Sequence, residues 1–507
     1  MGVQGTLLAM ALLGAVMPVA DDDREIRDRL GAAVAAVAGG GPGPMADDPT
    51  FLRRAYLDLA GHTPPPATAR NYLDDRDPAK RAKLVDRLLD SEAFADHWGR
   101  VLAAWLTDER PVGRDAYDGR VLHAYLRESL SRREPYDRTI RELIAGTGAS
   151  DASGPANYFL RYEADPPRLA GALGKGILGV TIRCAQCHDH PFAPWKLDEF
   201  WGLAAAFARV RKMEGEGNLK AVVEARRGEL KRPNPDASPA VKEGEKPEPK
   251  EVVVRPRLLD GKPITEPDRR AALADWVVDR GNPRFARNVA NRAWGQLLGK
   301  SPAANLDGPG VPAVIALLAE DFASHGHDLR RLLRLIVLSE SYAQSSATPG
   351  KPAWARPAPR PLSVDQLHAS IAQATGHDGL PDEAAEEPAG GDAPLDDPED
   401  EDDEGPDERG DRAVEALGER SLTLQRALVL LNGEHVREAS RSAVRVARAT
   451  NGRQTDAARV EWAVLSTLSR RPTDKERAIL RALIAEPSGA EDVYWLLLNS
   501  SEFQAIR

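Results

Sequence analysis

Cysteine is nearly absent from this 507-residue sequence, which contains two Cys, five Met, and nine each of Trp, Tyr and Phe. Two cysteines cannot build a disulfide scaffold, so that class of secreted protein is excluded. Positive charge is also in deficit, because 68 Lys and Arg stand against 78 Asp and Glu, for a formal net charge of −10. Phosphate binding needs a clustered positive field, so we expect no nucleic-acid partner.

The negative charge is concentrated in one segment. Residues 378–412 contain 17 acidic residues against two Arg, so this segment carries −15 and the rest of the chain sums to +5. Blocks of like charge repel one another and stay solvated, so we predict a disordered insert here. The remaining 42% apolar chain can build sizeable cores, and its mildly basic surface is compatible with an acidic polysaccharide or an anionic cell surface.

The N-terminus has the pattern of an export signal. Residues 6–20 read TLLAMALLGAVMPVA, an uncharged run that ends at small residues and is followed by Asp21-Asp22-Asp23. A membrane-spanning helix needs about 20 apolar residues, so we interpret 1–20 as a cleavable signal rather than an uncleaved anchor. We therefore expect an exported protein, in the periplasm or at the cell surface, with no membrane span in its mature chain.

Apolar spacing predicts a mainly α-helical fold. In residues 77–89, Asp77 and Pro78 provide a helix start and the apolar residues that follow form one stripe. The pattern Thr473-x-x-Glu476 predicts a capping box at the start of another helix. Further helices are predicted at 92–106, 117–131, 136–145, 167–182 and 197–210.

Breaks in composition divide the chain into two helical domains. Residues 211–250 alternate Pro, Gly, Lys and Glu without periodicity, which is typical of a linker. The segment EVVVRPR at 251–257 predicts a short strand that Pro256 confines to a sheet edge. The resulting division is an export signal 1–20, a linker 21–49, a first helical domain 50–210, a mixed-charge linker 211–257, and a second helical domain 258–507 with the acidic insert 378–412.

Both cysteines lie in one pentapeptide, Cys184-Ala185-Gln186-Cys187-His188, an arrangement with a chance probability on the order of one in ten thousand. Thiols at i and i+3 of a helical turn point the same way, as required for attachment to the two vinyl groups of a haem. The adjacent His188 can then bind the iron. This pattern predicts haem c bound through Cys184, Cys187 and His188, and attachment outside the cytoplasm agrees with the export signal.

Three other interpretations stay open. The two cysteines could form a plain disulfide, which an oxidising compartment favours but which leaves His188 unexplained. They could form a thioredoxin-like dithiol, although the βαβ context is missing. Cys184, Cys187, His188 and His190 could instead bind Zn or Fe, with adjacent ligands at 187 and 188 straining tetrahedral geometry.

The second axial ligand of such a haem iron has four candidates, Met213, His62, His97 and His123, and a five-coordinate iron is the alternative. His190 is too close in sequence to reach the opposite face of the ring. The aromatic residues after the motif, Phe192 and Trp195, could cover a flat cofactor, but packing in a core is favoured. No spacing among acidic and His residues singles out a general acid or base, so we assign no catalytic residue.

The motif and its surroundings resemble a known family. The segments FLRRAYLDLAG at 51–61, ILGV at 177–180 and CAQCHDHPF at 184–192, with Trp195, resemble the planctomycete-specific cytochrome-type domain of unknown function. Five downstream segments resemble the second planctomycete-specific domain of unknown function that usually accompanies it: NPRFAR at 282–287, NRAW at 291–294, SESY at 339–342, LNG at 431–433 and LNSSEF at 498–503.

The resemblance implies exported, mostly helical proteins, many of which carry a separate cytochrome module in front of this pair. The chain departs from the family pattern near His97-Trp98 and in residues 297–307, where a more aromatic and basic stretch is expected.

Two functions from different classes follow from the sequence. The first is an exported haem c protein for electron transfer or small-ligand redox chemistry, which would have a redox partner. The alternative is a non-redox extracytoplasmic scaffold or binding protein, with a structural metal or a disulfide at the same motif, whose partner is a cell-surface protein or polysaccharide. A hydrolase of extracellular polymers is a third option without a nucleophile that we can name.

Overall fold

The computed structural model describes residues 19–38, 43–107, 117–215, 219–233, 251–308, 310–346, 351–377, 434–451 and 455–507. Helices dominate these residues, so the predicted mainly α class is confirmed. The acidic insert 378–412 and residues 1–18 of the predicted export signal lie outside the described residues. Among the described helices, none combines the length and the apolar character needed to cross a membrane.

Ten α-helices form among the described residues of the first half of the chain. Two of the predicted helices, 92–106 and 136–145, coincide with observed helices end to end. The ten helices are α1 Val19–Ala38, α2 Asp48–Leu59, α3 Pro66–Asp74, α4 Lys80–Leu89, α5 Glu92–Leu106, α6 Gly119–Ser131, α7 Tyr136–Ala145, α8 Gly154–Arg161, α9 Pro166–Ala172 and α10 Leu197–Ala204.

The start of α4 differs from the prediction. The helix begins at Lys80, and Asp77 lies in the turn before it, where its carboxylate accepts the backbone N–H of Ala79 at 2.8 Å. Asp75 accepts the N–H of Asp77 in the same way at 2.9 Å. Aspartate side chains that bond to nearby backbone compete with helix formation, which explains the later start. The predicted apolar stripe of α4 is buried as expected.

The described residues of the second half form ten more helices. The predicted capping box is confirmed: Thr473 Oγ1 accepts the N–H of Glu476 at 3.3 Å, and Glu476 Oε2 accepts the N–H of Thr473 at 2.8 Å. The helices are α11 Arg269–Val278, α12 Pro283–Leu298, α13 Ala313–Ser324, α14 Leu329–Val337, α15 Glu340–Ala343, α16 Val364–Thr375, α17 Glu434–Asn451, α18 Asp456–Leu468, α19 Asp474–Ile484 and α20 Gly489–Leu498.

In the part of the chain that the structure describes, three small antiparallel sheets accompany the helices. They comprise β1 Gly148–Ala149, β2 Val210–Glu214 and β3 Lys220–Glu224 in the order β1-β3-β2, the pair β4 Leu230–Pro233 and β5 Glu251–Val254, and the pair β6 Arg360–Pro361 and β7 Ala505–Ile506. The predicted strand within 251–257 is β5. The sequence predicts a linker where strands β2, β3 and β4 lie. These strands were not predicted because only Val210 and Val222 bury their side chains, which is too few to produce an alternating apolar pattern.

Buried apolar side chains form two clusters. The first contains residues from Leu30 to Ala355 together with Leu465 of α18, and it joins residues on both sides of 211–257, such as Tyr136 with Phe285. The second contains side chains between Leu362 and Ile506, most of them on α16 to α20, together with Leu57 of α2. Apart from Leu57 and Leu465, which pack in the other cluster, packing therefore divides the described chain between 355 and 362. The boundaries 50–210 and 258–507 stay predictions.

Helix α2 is fastened to later parts of the chain through the buried carboxylate of Asp58. Its Oδ2 accepts the hydroxyl of Tyr342 at 2.7 Å, and its Oδ1 forms an ion pair with Arg360 of β6. Burial raises the pKa of the Asp58 carboxyl, while the charge of Arg360 and the Tyr342 hydrogen bond act to lower it. The carboxylate therefore depends on these two partners to stay charged inside the protein.

Two arginines of α2 extend this attachment to the second apolar cluster. Arg53 donates to the carbonyls of Thr467 at 2.8 Å and Phe503 at 2.6 Å. Arg54 donates to Tyr342 O at 2.6 Å and Arg507 O at 2.9 Å. Guanidinium groups that are almost fully buried make charge-assisted hydrogen bonds to these carbonyls, so α2 connects the two clusters.

We expect Asp58→Ala to lower the free energy of unfolding by about 3 kcal/mol or more, because it removes a buried carboxylate and leaves Arg360, whose side chain is 19% exposed, without its partner. The matched control is Asp74→Ala, which breaks an ion pair with Arg471 whose side chains are 57% and 44% exposed. Exposed pairs contribute less than about 1 kcal/mol. Urea denaturation of both variants tests the difference, and equal losses would contradict it.

Glu476 predicts an acid-dependent contribution to stability. Arg470 binds its carboxylate through two N–H groups at 2.7 and 2.8 Å, which lowers the pKa of Glu476 from 4.5 to about 2. A lowered folded pKa means that the contribution is complete above pH 4.5 and is lost as the pH falls toward 2. Solvent screening limits it to about 1 kcal/mol.

In urea titrations across this pH range, Glu476→Gln should therefore lose less stability on acidification than the wild type. Glu486→Gln, which changes an exposed carboxylate, is the control and should follow the wild type. If the unfolding free energy of Glu476→Gln fell with pH as steeply as that of the wild type, the acid-dependent contribution would not come from the Glu476 carboxylate.

Candidate functional site

The chain enters the cysteine motif through a tight contact at Gly179. After α9, residues Leu173–Leu178 form one π-helical turn, which ends at Gly179 with φ of +70°. A Cβ at this position would lie 2.8 Å from Oδ1 of Asn288 in α12. Asn288 Nδ2 in turn donates to the carbonyl of Gly176 at 2.9 Å. Glycine is therefore required here, and the predicted helix 167–182 ends before the motif.

The motif begins on a short 3-10 helix, Ile182–Gln186, and Cys187 caps the C-terminal end of this turn. The side chains of Ile182 and Ala185 are 1% and 0% exposed and hold this turn on the first apolar cluster. Cys184 and Cys187 are both exposed and both free thiols. The turn therefore presents the two thiols to solvent, and no disulfide joins them.

His188 of the motif and His190, two residues later, have opposite hydrogen-bonding roles. His188 is exposed, and its Nδ1 lies 2.8 Å from the carbonyl of Asp189. A carbonyl only accepts, so in neutral His188 the proton is on Nδ1 and Nε2 carries a lone pair. His190 Nδ1 accepts the N–H groups of Phe192 at 3.1 Å and Ala193 at 2.9 Å, so neutral His190 carries its proton on Nε2.

This geometry bears on the alternative with four metal ligands. The unprotonated nitrogen of His190, Nδ1, already accepts two backbone N–H groups of its own loop. This nitrogen is therefore not available to bind a metal. Within the part of the chain that the structure describes, no three His, Cys, Asp or Glu side chains are placed to hold a metal ion together. The structure thus brings Cys184, Cys187 and His188 onto one exposed turn but does not assemble them with His190 into a metal centre.

Asp189 closes the loop that follows the motif. Its Oδ1 accepts the N–H of Leu197 at 2.9 Å, and its Oδ2 lies 3.1 Å from Nζ of Lys196. The Leu197 N–H, followed by the Lys196 hydrogen bond, lowers the pKa of Asp189. This carboxylate connects the residue after His188 to the first turn of α10, which stabilises the loop near the motif.

The buried end of the same loop depends on Asp307. Trp195 is 3% exposed, and its indole Nε1–H donates to Asp307 Oδ1 at 2.8 Å. The same oxygen accepts the N–H of Thr181 at 2.9 Å, just before the motif. The guanidinium of Arg284 lies 5.2 Å from the centre of the Trp195 ring, in a cation–π contact. One carboxylate thus holds the chain on both sides of Cys184 and Cys187.

The aromatic residues after the motif behave differently from each other. Trp195 is buried, as the core interpretation expects. Phe192 is 85% exposed, so the same expectation is wrong for this residue. Its backbone N–H is held by His190, which turns the Phe192 side chain away from the core. An exposed phenylalanine therefore lies on the surface four residues after His188.

Asp307 and Asn288 are the site residues that sequence reasoning missed. They lie 100 or more residues after the motif, in the predicted second domain. Asp307 lies in an irregular segment with several bends, so no helical or strand periodicity in the sequence indicates its position. The only signal was that residues 297–307 depart from the expected family pattern, which gave no reason to place them beside the cysteines.

The candidates for a second axial ligand lie elsewhere. His62 Nδ1 bonds to Thr63 O at 2.8 Å, and His123 Nε2 lies 3.0 Å from Asp96 O. His97 is buried with an unpartnered Nε2, and burial lowers its pKa to about 4. Met213 is half exposed in β2, opposite Ala221. None of these contacts reaches the motif within the described residues.

We expect Asp307→Ala to loosen the loop around the motif, because it leaves the buried Trp195 indole N–H and the Thr181 N–H without an acceptor. Hydrogen exchange of the peptide covering 181–196 should become roughly tenfold faster or more. Asp198→Ala, which removes an 82% exposed carboxylate nearby, is the control. Equal exchange in both variants would show that Asp307 does not hold the loop.

Comparison with known families matches two regions of the chain. Residues 28–212 match the family PSCyt2, described as a protein of unknown function (DUF1549), and residues 269–415 match PSD1, also described as a protein of unknown function (DUF1553). No curated protein and no solved structure gave a match. The chain is therefore similar, in this order, to two families of unknown function, and its cysteine motif lies in the first region while Asp307 lies in the second.

Proposed function

We propose that this protein is an exported carrier of one haem c, attached through Cys184 and Cys187, with His188 as an axial ligand of the iron, for electron transfer or small-ligand redox chemistry. The observation that carries the proposal is the exposed turn on which two free thiols and an imidazole with an unprotonated Nε2 lie together. Every cysteine of the chain is in this turn.

The thiols meet the requirement for covalent attachment. Thioether formation needs both sulfurs to be free and accessible, and both are exposed. Ile182 and Ala185, which lie on either side of Cys184, bury their side chains in the first apolar cluster. The backbone of the turn is therefore fixed, and the cysteine side chains remain open to a large cofactor.

His188 is oriented in the way that an iron ligand needs. Its Nδ1–H donates to the adjacent carbonyl of Asp189, which leaves the lone pair of Nε2 available. The carboxylate of Asp189 is itself bound to Leu197 and Lys196, so this carbonyl belongs to a restrained loop. A hydrogen bond of this kind fixes the tautomer and increases the basicity of the coordinating nitrogen.

Phe192 adds apolar surface next to the motif. A side chain that is 85% exposed leaves its ring in water, and a flat, largely apolar cofactor beside it would cover part of that ring. A haem at this surface supplies one-electron or ligand-binding chemistry at iron, with a potential set by its axial ligands and solvent exposure. The signal pattern of residues 1–20 supports attachment outside the cytoplasm.

The test is co-expression of the full chain with a haem c maturation system, followed by denaturing electrophoresis with haem staining and a pyridine haemochrome spectrum. We expect one covalent haem per chain in the wild type. Cys184→Ser/Cys187→Ser should abolish covalent haem. His188→Ala should change the spectrum of the folded protein, whereas His325→Ala, which alters a histidine at the end of α13, should leave it unchanged.

Absence of covalent haem from the wild-type chain would overturn the proposal. Two accompanying results would then support the alternative of a non-redox extracytoplasmic scaffold or binding protein. One is zinc at about one atom per chain without iron, measured by elemental analysis. The other is a Cys184–Cys187 disulfide, detected by mass spectrometry before and after reduction.

A further inference from the structure

A cavity of about 550 Å³ opens between α2, α3, α4 and the first turn of α5. This volume falls within the range of roughly 300–1,000 Å³ that small-molecule sites occupy. None of the residues that line it belongs to the cysteine motif or to its loop. The cavity is therefore a separate feature of the first matched region.

Part of the cavity lining is apolar, and the rest carries the polar side chains of His62, Thr68, Asn71, Asp75, Arg87 and Ser91. Ala60, Leu84 and Leu88 line it, and each is at most 5% exposed. The rings of Tyr56 and Tyr72 contribute two aromatic surfaces. A surface of this kind favours a ligand with a flat face of C–H groups, because burying such a face removes apolar area from water.

Arg87 supplies an unpaired positive charge at the cavity. The other three cations of α4 each bind a carboxylate: Lys80 and Arg81 bind Asp48, and Lys83 binds Asp77. Arg87 lines the cavity and has no such partner among the described residues. Its charge also suits the last turn of α4, where a cation favours the helix dipole.

Two polar groups of opposite kind, Tyr56 and His62, line the same cavity as Arg87. Burial raises the pKa of the Tyr56 hydroxyl, while the charge of Arg87 and a hydrogen bond with Thr68 act to lower it. The rings of Tyr56 and His62 are 5.9 Å apart. His62 donates Nδ1–H to the carbonyl of Thr63, and burial lowers its pKa, so the imidazole is neutral with Nε2 as an acceptor.

We infer that this cavity binds a hydroxylated carboxylate of sugar size, a uronic acid. Its carboxylate is recognised by the guanidinium of Arg87 and the hydroxyl of Tyr56, because both groups donate hydrogen bonds. A ring hydroxyl donates to His62 Nε2, which can only accept. The C–H face of the sugar ring packs on the apolar lining. Thr68 and Asn71, which also line the cavity, supply further hydroxyl and amide groups.

Isothermal titration calorimetry of the full chain tests this inference with three probes. D-glucuronate carries both recognised features, D-glucose lacks the carboxylate, and cyclohexanecarboxylate lacks the hydroxyl groups. We expect saturable binding of D-glucuronate and affinities at least about tenfold lower for the other two probes, since a lost hydrogen bond to a charged group weakens binding by roughly 10- to 100-fold.

Arg87→Gln should weaken D-glucuronate binding by about 10- to 100-fold, and Tyr56→Phe should weaken it by less. Arg481→Gln removes an exposed arginine on α19, far from the cavity in the chain, and should leave the affinity unchanged. Thermal unfolding of each variant shows whether it is folded. Because the measurement does not involve the cysteine motif, its outcome is independent of whether haem is attached.

Three results would overturn the inference: no saturable binding of D-glucuronate to the wild type, equal affinity for D-glucose, or wild-type affinity in Arg87→Gln. A lower melting temperature of Arg87→Gln with unchanged D-glucuronate affinity would assign Arg87 to stabilisation of α4 alone.

Discussion

The ion pair between Asp58 and Arg360 is the constraint on which the rest of the structure depends. Removing a carboxylate from water costs several kcal/mol unless partners replace its hydration, and here Arg360 and Tyr342 do so. These partners come from the two sides of the division between the apolar clusters, since Tyr342 packs in the first and β6 accompanies the second. Because Asp58 needs both partners, the two apolar clusters must be correctly placed relative to each other for this buried charge to be stabilised.

The cysteine turn shows the same dependence on a smaller scale. Its own residues define only which side chains face outward, whereas Asp307 and Asn288 determine where the turn lies. Both belong to the region similar to PSD1, while the turn belongs to the region similar to PSCyt2. The exposed thiols are thus presented by a surface that neither region forms alone, which gives a physical reason for the two regions to occur in one chain.

Local features of the fold could be predicted from sequence because they depend on neighbouring residues. The ends of α5 and α7 and the Thr473 capping box follow from spacing and capping chemistry. The site was predictable only in its residue types. The tautomers of His188 and His190 depend on loop carbonyls and N–H groups, and the Asp307 contact spans more than 100 residues, so neither leaves a periodic trace.

The hydrogen bonds of Arg53 and Arg54 can form only late in the synthesis of the chain. Arg53 donates to the carbonyl of Phe503, which is synthesised 450 residues later, and Arg54 donates to the carbonyl of Arg507. At about 5–20 residues per second on the ribosome, α2 exists for roughly 20 to 90 seconds before these acceptors are made. During that interval burial of the two guanidinium groups would leave them without these acceptors, so α2 cannot take its final buried position until the last residues of the chain have been synthesised.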